Sequence, residues 1–525
     1  MSSPPHYRLG ETKSQCMSDC KGEYVSLLSR QLRSAFPQFV ANLQDQSPVQ
    51  REQGRAAVLE YSASECSETH IFQDSTELQS YLTPDHLPQQ GTPKRRLFVL
   101  EDLPRNFIEV IGCHLSVPPS FFAAHWYDPA TPTFNYRSPF TRFCNDRFII
   151  RYPTSHHISL CEKPAEHHNI YAWNSNVNRY LYMYDPKSPL VDDPKSYHAL
   201  SFWATGARDD GSWDAVLLVD PPLADTIKST KTSKIVRIKP QSSDTESSGM
   251  GSLYPDIHEL YPNVHTSTWA TPSPSYVSMF EDILSLSNLR THDVTNDPKQ
   301  SASIARQLVI SIFLAFLRRR YLNLLGLQSR FSYSQAINRC DYLRSFMDGS
   351  LSTWQHELFG FIVNVKFRLN VLLKEIEDNM TALGLSPDVI SGTAAIPSWE
   401  RDGWTAVHDS CTTVLNMTNM LLESYLQFVT VEEAQSSNRV AKSLARITVL
   451  TTLFIPLSTV AAILSMNETF LPGSRFDWVF WVVSLPILLV IAVVYGKKSF
   501  PVVPGGVGGK KRYILPFFRD KSSGV

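Results

Sequence analysis

His156-His157, Cys161 and His167-His168 form the densest group of soft metal ligands in the 525-residue chain. Imidazole and thiolate suit zinc. Zinc modules, however, space their ligands in fixed short patterns, which this group does not match. We read these residues as surface histidines of a loop. The acid pairs Asp192-Asp193 and Asp209-Asp210 offer hard oxygen ligands, although paired surface acids are ordinarily just solvated. The run PGGVGGKK (504–511) hints at a phosphate loop, but it lacks the G-x-x-x-x-G-K-[ST] spacing and follows an apolar run instead of a strand. No G-x-S-x-G or H-E-x-x-H arrangement stands where its chemistry would need it. Cysteines 16, 20, 66, 113, 144, 161, 340 and 411 are scattered without a C-x-x-C spacing. That pattern argues for a reducing compartment and against a disulfide scaffold. The expectation is a protein that is not an enzyme and needs no cofactor.

The elements around these residues are more informative. Lys+Arg total 49 against 50 Asp+Glu, so a net charge of −1 gives no general pull toward nucleic acid. The 43% apolar and 11% aromatic content excludes a wholly disordered chain. The length predicts roughly two to four domains. Residues 447–466, ITVLTTLFIPLSTVAAILSM, carry no charge, and neither does WVFWVVSLPILLVIAVVYG at 478–496. Each run is about 30 Å long as a helix, enough to cross a bilayer's hydrocarbon core. Arg439, Lys442 and Arg446 precede the first run, and Lys497, Lys498, Lys510, Lys511 and Arg512 follow the second. The short connection NETFLPGSRFD holds only Arg475 as a base. The excess of positive charge on both flanks predicts cytoplasmic termini and an outer loop. The N-terminus has no apolar segment of signal-peptide type, and Glu11 and Asp19 weaken a transit-peptide reading. A third apolar run, LVISIFLAFL (308–317), is too short to span and predicts a buried helix.

Between Val407 and Ile455 there is no Gly or Pro, which predicts one long helix that enters the first span and meets Pro456 inside it. Val407, Cys411, Val414, Thr418, Leu421, Tyr425 and Phe428 recur at 4-3 spacing, as do Leu358, Ile362, Val365, Leu369, Leu372 and Ile376. Such spacing marks helices packed lengthwise. In the span the stripe continues as Leu444, Ile447, Thr451, Ile455, Ser458, Ala462 and Ser465, bulky first and then small or hydroxylated. Around a symmetric pore it would form an apolar constriction leading to a wettable funnel. Small residues also let helices pack closely in lipid.

The run FIPLSTVAAILSMNETFLP (454–472) resembles the signature of the CorA family of magnesium channels, an F-I-P-L-T-x-x-A-G-x-Y-G-M-N-like run with Met-Pro a few residues on. Phe454, Ile455, Pro456, Leu457, Ala461, Met466, Asn467 and Pro472 match it. Residues 96–125 and WDAVLLVDPP (213–222) also resemble divergent fungal CorA-like proteins. The resemblance implies a homopentamer whose first span lines a pore for Mg²⁺ or another divalent cation, which is cargo and a candidate regulator. It assigns Ser465-Met466-Asn467 to the selectivity mouth, with Asn467 amides meeting the hydrated ion and Glu468 concentrating cations beside them. Leu444, Ile447 and Ile455 would be the hydrophobic gate, with Thr451, Ser458 and Ala462 lining the pore and Pro456 kinking the helix. Asp209-Asp210 and Asp192-Asp193 would be candidates for a regulatory Mg²⁺ between subunits. Ser465 stands where the family has Gly, and Gly473 where many members have an acid. These departures leave open transport of zinc or another transition metal, and a non-conducting membrane scaffold or sensor. Plasma membrane is the expected location.

The fold expected is an α/β cytoplasmic domain (1–300), a helical stalk region (301–446), a two-helix transmembrane hairpin (447–496) with its outer loop at 467–477, and a basic cytoplasmic tail (497–525). Strands are expected at Arg96–Leu100, Phe148–Arg151, Asp214–Asp220 and Lys234–Ile238, where Val, Ile, Leu and Phe cluster. Helices are expected around 23–60, 277–290 and 303–328, and irregular stretches at 240–252 and Asn379–Trp404.

Overall fold

The computed structural model describes residues 22–44, 54–62, 66–83, 93–130, 144, 146–156, 158–161, 170–183, 194–240, 278–287, 297–336, 351–385, 397–466, 475–476 and 478–499. The chain divides into two compact units, Met1–Ser424 and Tyr425–Val525.

In the first unit, period-2 burial builds a sheet from β1 (Ala56–Tyr61), β2 (Cys66–Phe72), β3 (Arg95–Glu101), β4 (Arg147–Ser155), β5 (Ile158–Leu160), β6 (Ile170–Trp173), β7 (Tyr180–Tyr182), β8 (Lys195–Ala204), β9 (Trp213–Val219), β10 (Thr226–Ser229) and β11 (Ile235–Pro240). The order is β2-β1-β3-β9-β8-β7-β6-β10-β11-β5, with β4 paired antiparallel to β8. The β3–β9 pair is parallel. Alternate residues of the central strands enter two different cores. Leu97, Val99, Leu200, Phe202, Leu217 and Val219 face one side, and Phe98, Leu100, Ala199, Val216 and Leu218 face the other. Burial on both faces explains the almost unbroken apolar sequence of β9.

On the second face lie α1 (Glu23–Leu32), α2 (Pro37–Gln44), α3 (Ser75–Leu82), α4 (Arg105–Leu115) and α5 (Pro119–Trp126). The N-cap of α1 is Gly22 and supplies no side chain. Glu109 of α4 does the capping from outside, accepting from the Tyr24 and Val25 amides at 3.0 and 2.7 Å. On the first face lie α6 (Met279–Ser287), α7 (Ser303–Ala336), α8 (Leu351–Leu383) and α9 (Ser398–Leu464). The apolar run at 308–317 is buried there as expected. Both lengthwise seams are buried too: Ile362, Val365, Leu369, Leu372 and Ile376 of α8, and Val407, Cys411, Val414, Thr418 and Leu421 of α9. Arg306 of α7 and Glu400 of α9 form a buried ion pair that ties the starts of these helices.

The four expected strands are present. The helix expected over 23–60 instead stops at Gln44, and AAVLEY at 56–61 is β1, because each of its faces meets a core between β2 and β3. The irregular stretch expected from Asn379 is helical to Leu383, and helix resumes at Ser398. Residues 241–252 lie outside the described residues, while 240 ends β11. Cys113 of α4 is disulfide-bonded, a pairing that the expected reducing compartment does not predict.

Candidate functional site: an unpartnered helix face in the apolar hairpin

The second unit contains the end of α9 and α10 (Trp478–Ser499). Its part of α9 is long and apolar enough to cross a membrane and is not buried, unlike the helix at Pro298–Gln328, which is a core helix. Helix α9 runs through Pro456 without ending. The side of α9 carrying Pro456, Leu457 and Val460 packs on Ser484, Ile487 and Leu488 of α10. At 100° per residue, the stripe of Leu444, Ile447, Thr451, Ile455, Ser458, Ala462 and Ser465 lies on the far side of the helix. Every member of that stripe is exposed, with Leu444 at 57%, Ile447 at 54% and Ile455 at 63%. The same turn of the sequence thus gives α9 one face packed on α10 and another that is exposed, although its middle members Thr451, Ile455 and Ser458 also border an open groove with Phe480, Trp481 and Leu488 of α10.

The hydroxyls of the stripe are already engaged. Thr451 donates to the Thr448 carbonyl at 2.9 Å, Ser458 to Ile455 at 2.9 Å and Ser465 to Ala462 at 2.8 Å. They remain able to accept but have spent their hydrogens on the helix, so the far half of the stripe presents oxygen lone pairs. The helix ends in a turn in which the Ser465 amide bonds to Ala461 and the Met466 amide to Ile463. Met466 is 89% exposed. Asn467 and Glu468 lie outside the described residues. Trp478 and Trp481 at the start of α10 are exposed, as interfacial anchors are.

In the first unit, Asp210 closes a tight turn. Its carboxylate accepts from the Ser212 amide at 2.8 Å and the Ser212 hydroxyl at 2.9 Å, bonds that hold its pKa below the ordinary value. Asp209 neighbours it in the same turn. No group of three or more His, Cys, Asp or Glu able to hold a metal occurs among the described residues. His156 directly follows β4 and is half-buried. Its Nε2 lies 2.6 Å from the buried Ser196 hydroxyl. His157, His167, His168, Asp192 and Asp193 lie outside the described residues, and Cys161 is an exposed free thiol.

Residues 334–497 match the family described as CorA-like Mg²⁺ transporter protein. A stretch of 95 residues is 32% identical to the cobalt/magnesium transport protein CorA of Thermotoga maritima, spanning 18% of this chain and only 25% of that protein. The structure of the CorA magnesium transporter from Methanocaldococcus jannaschii aligns over 84% of this chain and 97% of its own, with a TM-score of 0.37 and 9% identity. The matched family region holds α8, α9 and most of α10, and with them the exposed stripe. Residues 334–497 are therefore the part of the chain that is similar to the CorA-like Mg²⁺ transporter family.

Proposed function

We propose that this chain lets divalent cations, Mg²⁺ first among them, pass passively through a membrane along a pore that several copies build from the exposed stripe of α9. The observation that carries this reading is the stripe itself. It leads through Ser465 and Met466 to Asn467, and all of its members are exposed in the single chain. A helix that only anchored the chain in lipid would gain nothing from the change along it, bulky apolar residues first and small or hydroxylated ones after. Five copies, the assembly the family resemblance implies, would put Leu444, Ile447 and Ile455 in successive apolar rings and Asn467 in an amide ring at the mouth. Mg²⁺ gives up its water reluctantly, so neutral amide oxygens that bond to its hydration shell can select it without stripping it. Positive charge on both flanks supports a hairpin with both ends on the cytoplasmic side.

Uptake of Mg²⁺ into liposomes carrying the purified full chain tests the reading. Asn467→Ala should abolish uptake while the oligomer survives, and an unchanged rate would sink the assignment of the mouth. Competition between Mg²⁺ and Zn²⁺ in the same assay separates a magnesium pathway from a transition-metal one. Ser465 in place of Gly supports one rival, a closed membrane scaffold, because a side chain and hydroxyl enter the turn that ends the helix. Conduction by Ser465→Gly from a silent wild type would favour that rival.

A further inference from the structure

The corner of the sheet where β8 passes the end of β9 buries more ionisable groups than packing requires. Asp220, directly after β9, has a side chain 1% exposed. Arg179, wholly buried, donates to it through Nε at 2.6 Å and Nη2 at 2.8 Å, and its other N–H groups reach the carbonyls of His125, Trp126, Tyr127 and Asn178. That pair is complete without help, yet two imidazoles also approach the carboxylate. His198 Nδ1 is 3.0 Å from one oxygen and His125 Nε2 is 3.3 Å from the other. On the far side of its ring, His198 Nε2 lies 2.7 Å from Ser196 Oγ. The same hydroxyl is 2.6 Å from Nε2 of His156, which is partly open to solvent.

One hydroxyl between two imidazole nitrogens fixes the hydrogens. His198 faces an anion through Nδ1, so Nδ1 carries its proton and Nε2 of the neutral ring is an acceptor. Ser196 then donates to His198, and His156 donates to Ser196. We propose that His156, Ser196, His198 and Asp220 form a proton relay in which a proton taken from solvent at His156 is stored on His198 beside Asp220. The proton balance closes. Nδ1 of His156 gains a proton, its Nε2 proton passes to Ser196, and the Ser196 proton passes to Nε2 of His198. His156 ends neutral with its proton on Nδ1, Ser196 now donates back to it, and His198 is an imidazolium donating at both nitrogens. The Ser196 hydroxyl and both nitrogens of His198 keep their partners before and after, so the site has two states that differ by one charge.

The groups that meet His198 come from several elements. From β4, Tyr152 stacks flat on the ring with centroids 5.3 Å apart, and from β6 Trp173 meets it T-shaped at 5.1 Å. Aromatic faces favour the cationic form, as does Asp220, while Arg179 opposes it. Tyr152 is uncharged and donates to Met279 Sδ at 3.5 Å. His125 lies on the opposite face of the sheet, bonded to Ser201 Oγ at 2.8 Å, and burial keeps it in the neutral form.

The test uses the full chain in lipid vesicles with ¹⁵N-labelled histidine, signals being assigned by their loss in His156→Gln and His198→Gln. Between about pH 8 and about pH 5, His198 should become an imidazolium while His156 changes from the Nε2–H to the Nδ1–H tautomer, with one shared midpoint. Ser196→Ala should separate the two, leaving His156 to become imidazolium itself and lowering the His198 midpoint by at least about tenfold in proton affinity, or 1.4 kcal/mol. Ser196→Thr keeps the hydroxyl and should keep the coupling. A His198 that stays neutral throughout, independent midpoints in the wild type, or unchanged coupling in Ser196→Ala would overturn the relay.

Discussion

Desolvation alone would protonate Asp220. The Arg179 guanidinium beside it, with the imidazoles of His125 and His198, reverses that effect and holds its carboxyl well below the usual carboxylate range. A carboxyl depressed by folding contributes stability that is present above its unfolded pKa of about 4 and is lost as pH falls below that value. The first unit should therefore lose stability on acidification, and Asp220→Asn should flatten that acid limb in denaturant melts. The same variant leaves the Arg179 charge buried without its anion, at a cost of about 3–5 kcal/mol at neutral pH. A melt unchanged by Asp220→Asn would show that the pair contributes nothing. None of this could be read locally. Asp220 closes a strand in V-D-P-P, and its partners Arg179 and His198 lie 41 and 22 positions away. His156 looked like a loop histidine for the same reason, since only the β4–β8 pairing brings it to Ser196.

Strand β4 pairs with β8 along one side, and a side chain of α8 caps its other side. The Asn379 carboxamide accepts from the Arg151 amide at 3.1 Å and donates to the Arg151 carbonyl at 2.8 Å, a side-chain copy of a strand partner. Asn379→Leu should leave both backbone groups unpaired in a buried setting and cost about 1–3 kcal/mol, measurable as a lower denaturation midpoint at unchanged slope. Elements with long and repetitive patterns were legible in the sequence. Strands β3, β4 and β9 are apolar on both faces, and the seams of α8 and α9 repeat over several turns. Strand β1 was missed because the helical reading runs on through Pro48 and Gly54, the breakers that separate AAVLEY from the amphipathic sequence before it. Strands β5, β6, β7 and β10 have only three or four residues each, too few to show a period. In the stretch from Asn379 to Trp404, clustered Gly, Pro and Ser hid how far helix continues on either side.

At the scale of the whole molecule, the two apolar C-terminal helices were legible because an uncharged run of that length suffices to mark each one. The direction of the stripe relative to α10 needed coordinates: 4-3 spacing gives a face, and only packing says which face is left over. The account's central claim is that this leftover face of α9 lines a pore. The most direct test is single-cysteine block of ion flux in liposomes, comparing Ser458→Cys with Val460→Cys two residues on. A cationic methanethiosulfonate should stop Mg²⁺ uptake through Ser458→Cys and leave Val460→Cys, which packs on α10, with wild-type flux. Block at Val460→Cys with Ser458→Cys unaffected would contradict the account, as would the absence of any flux from the wild type.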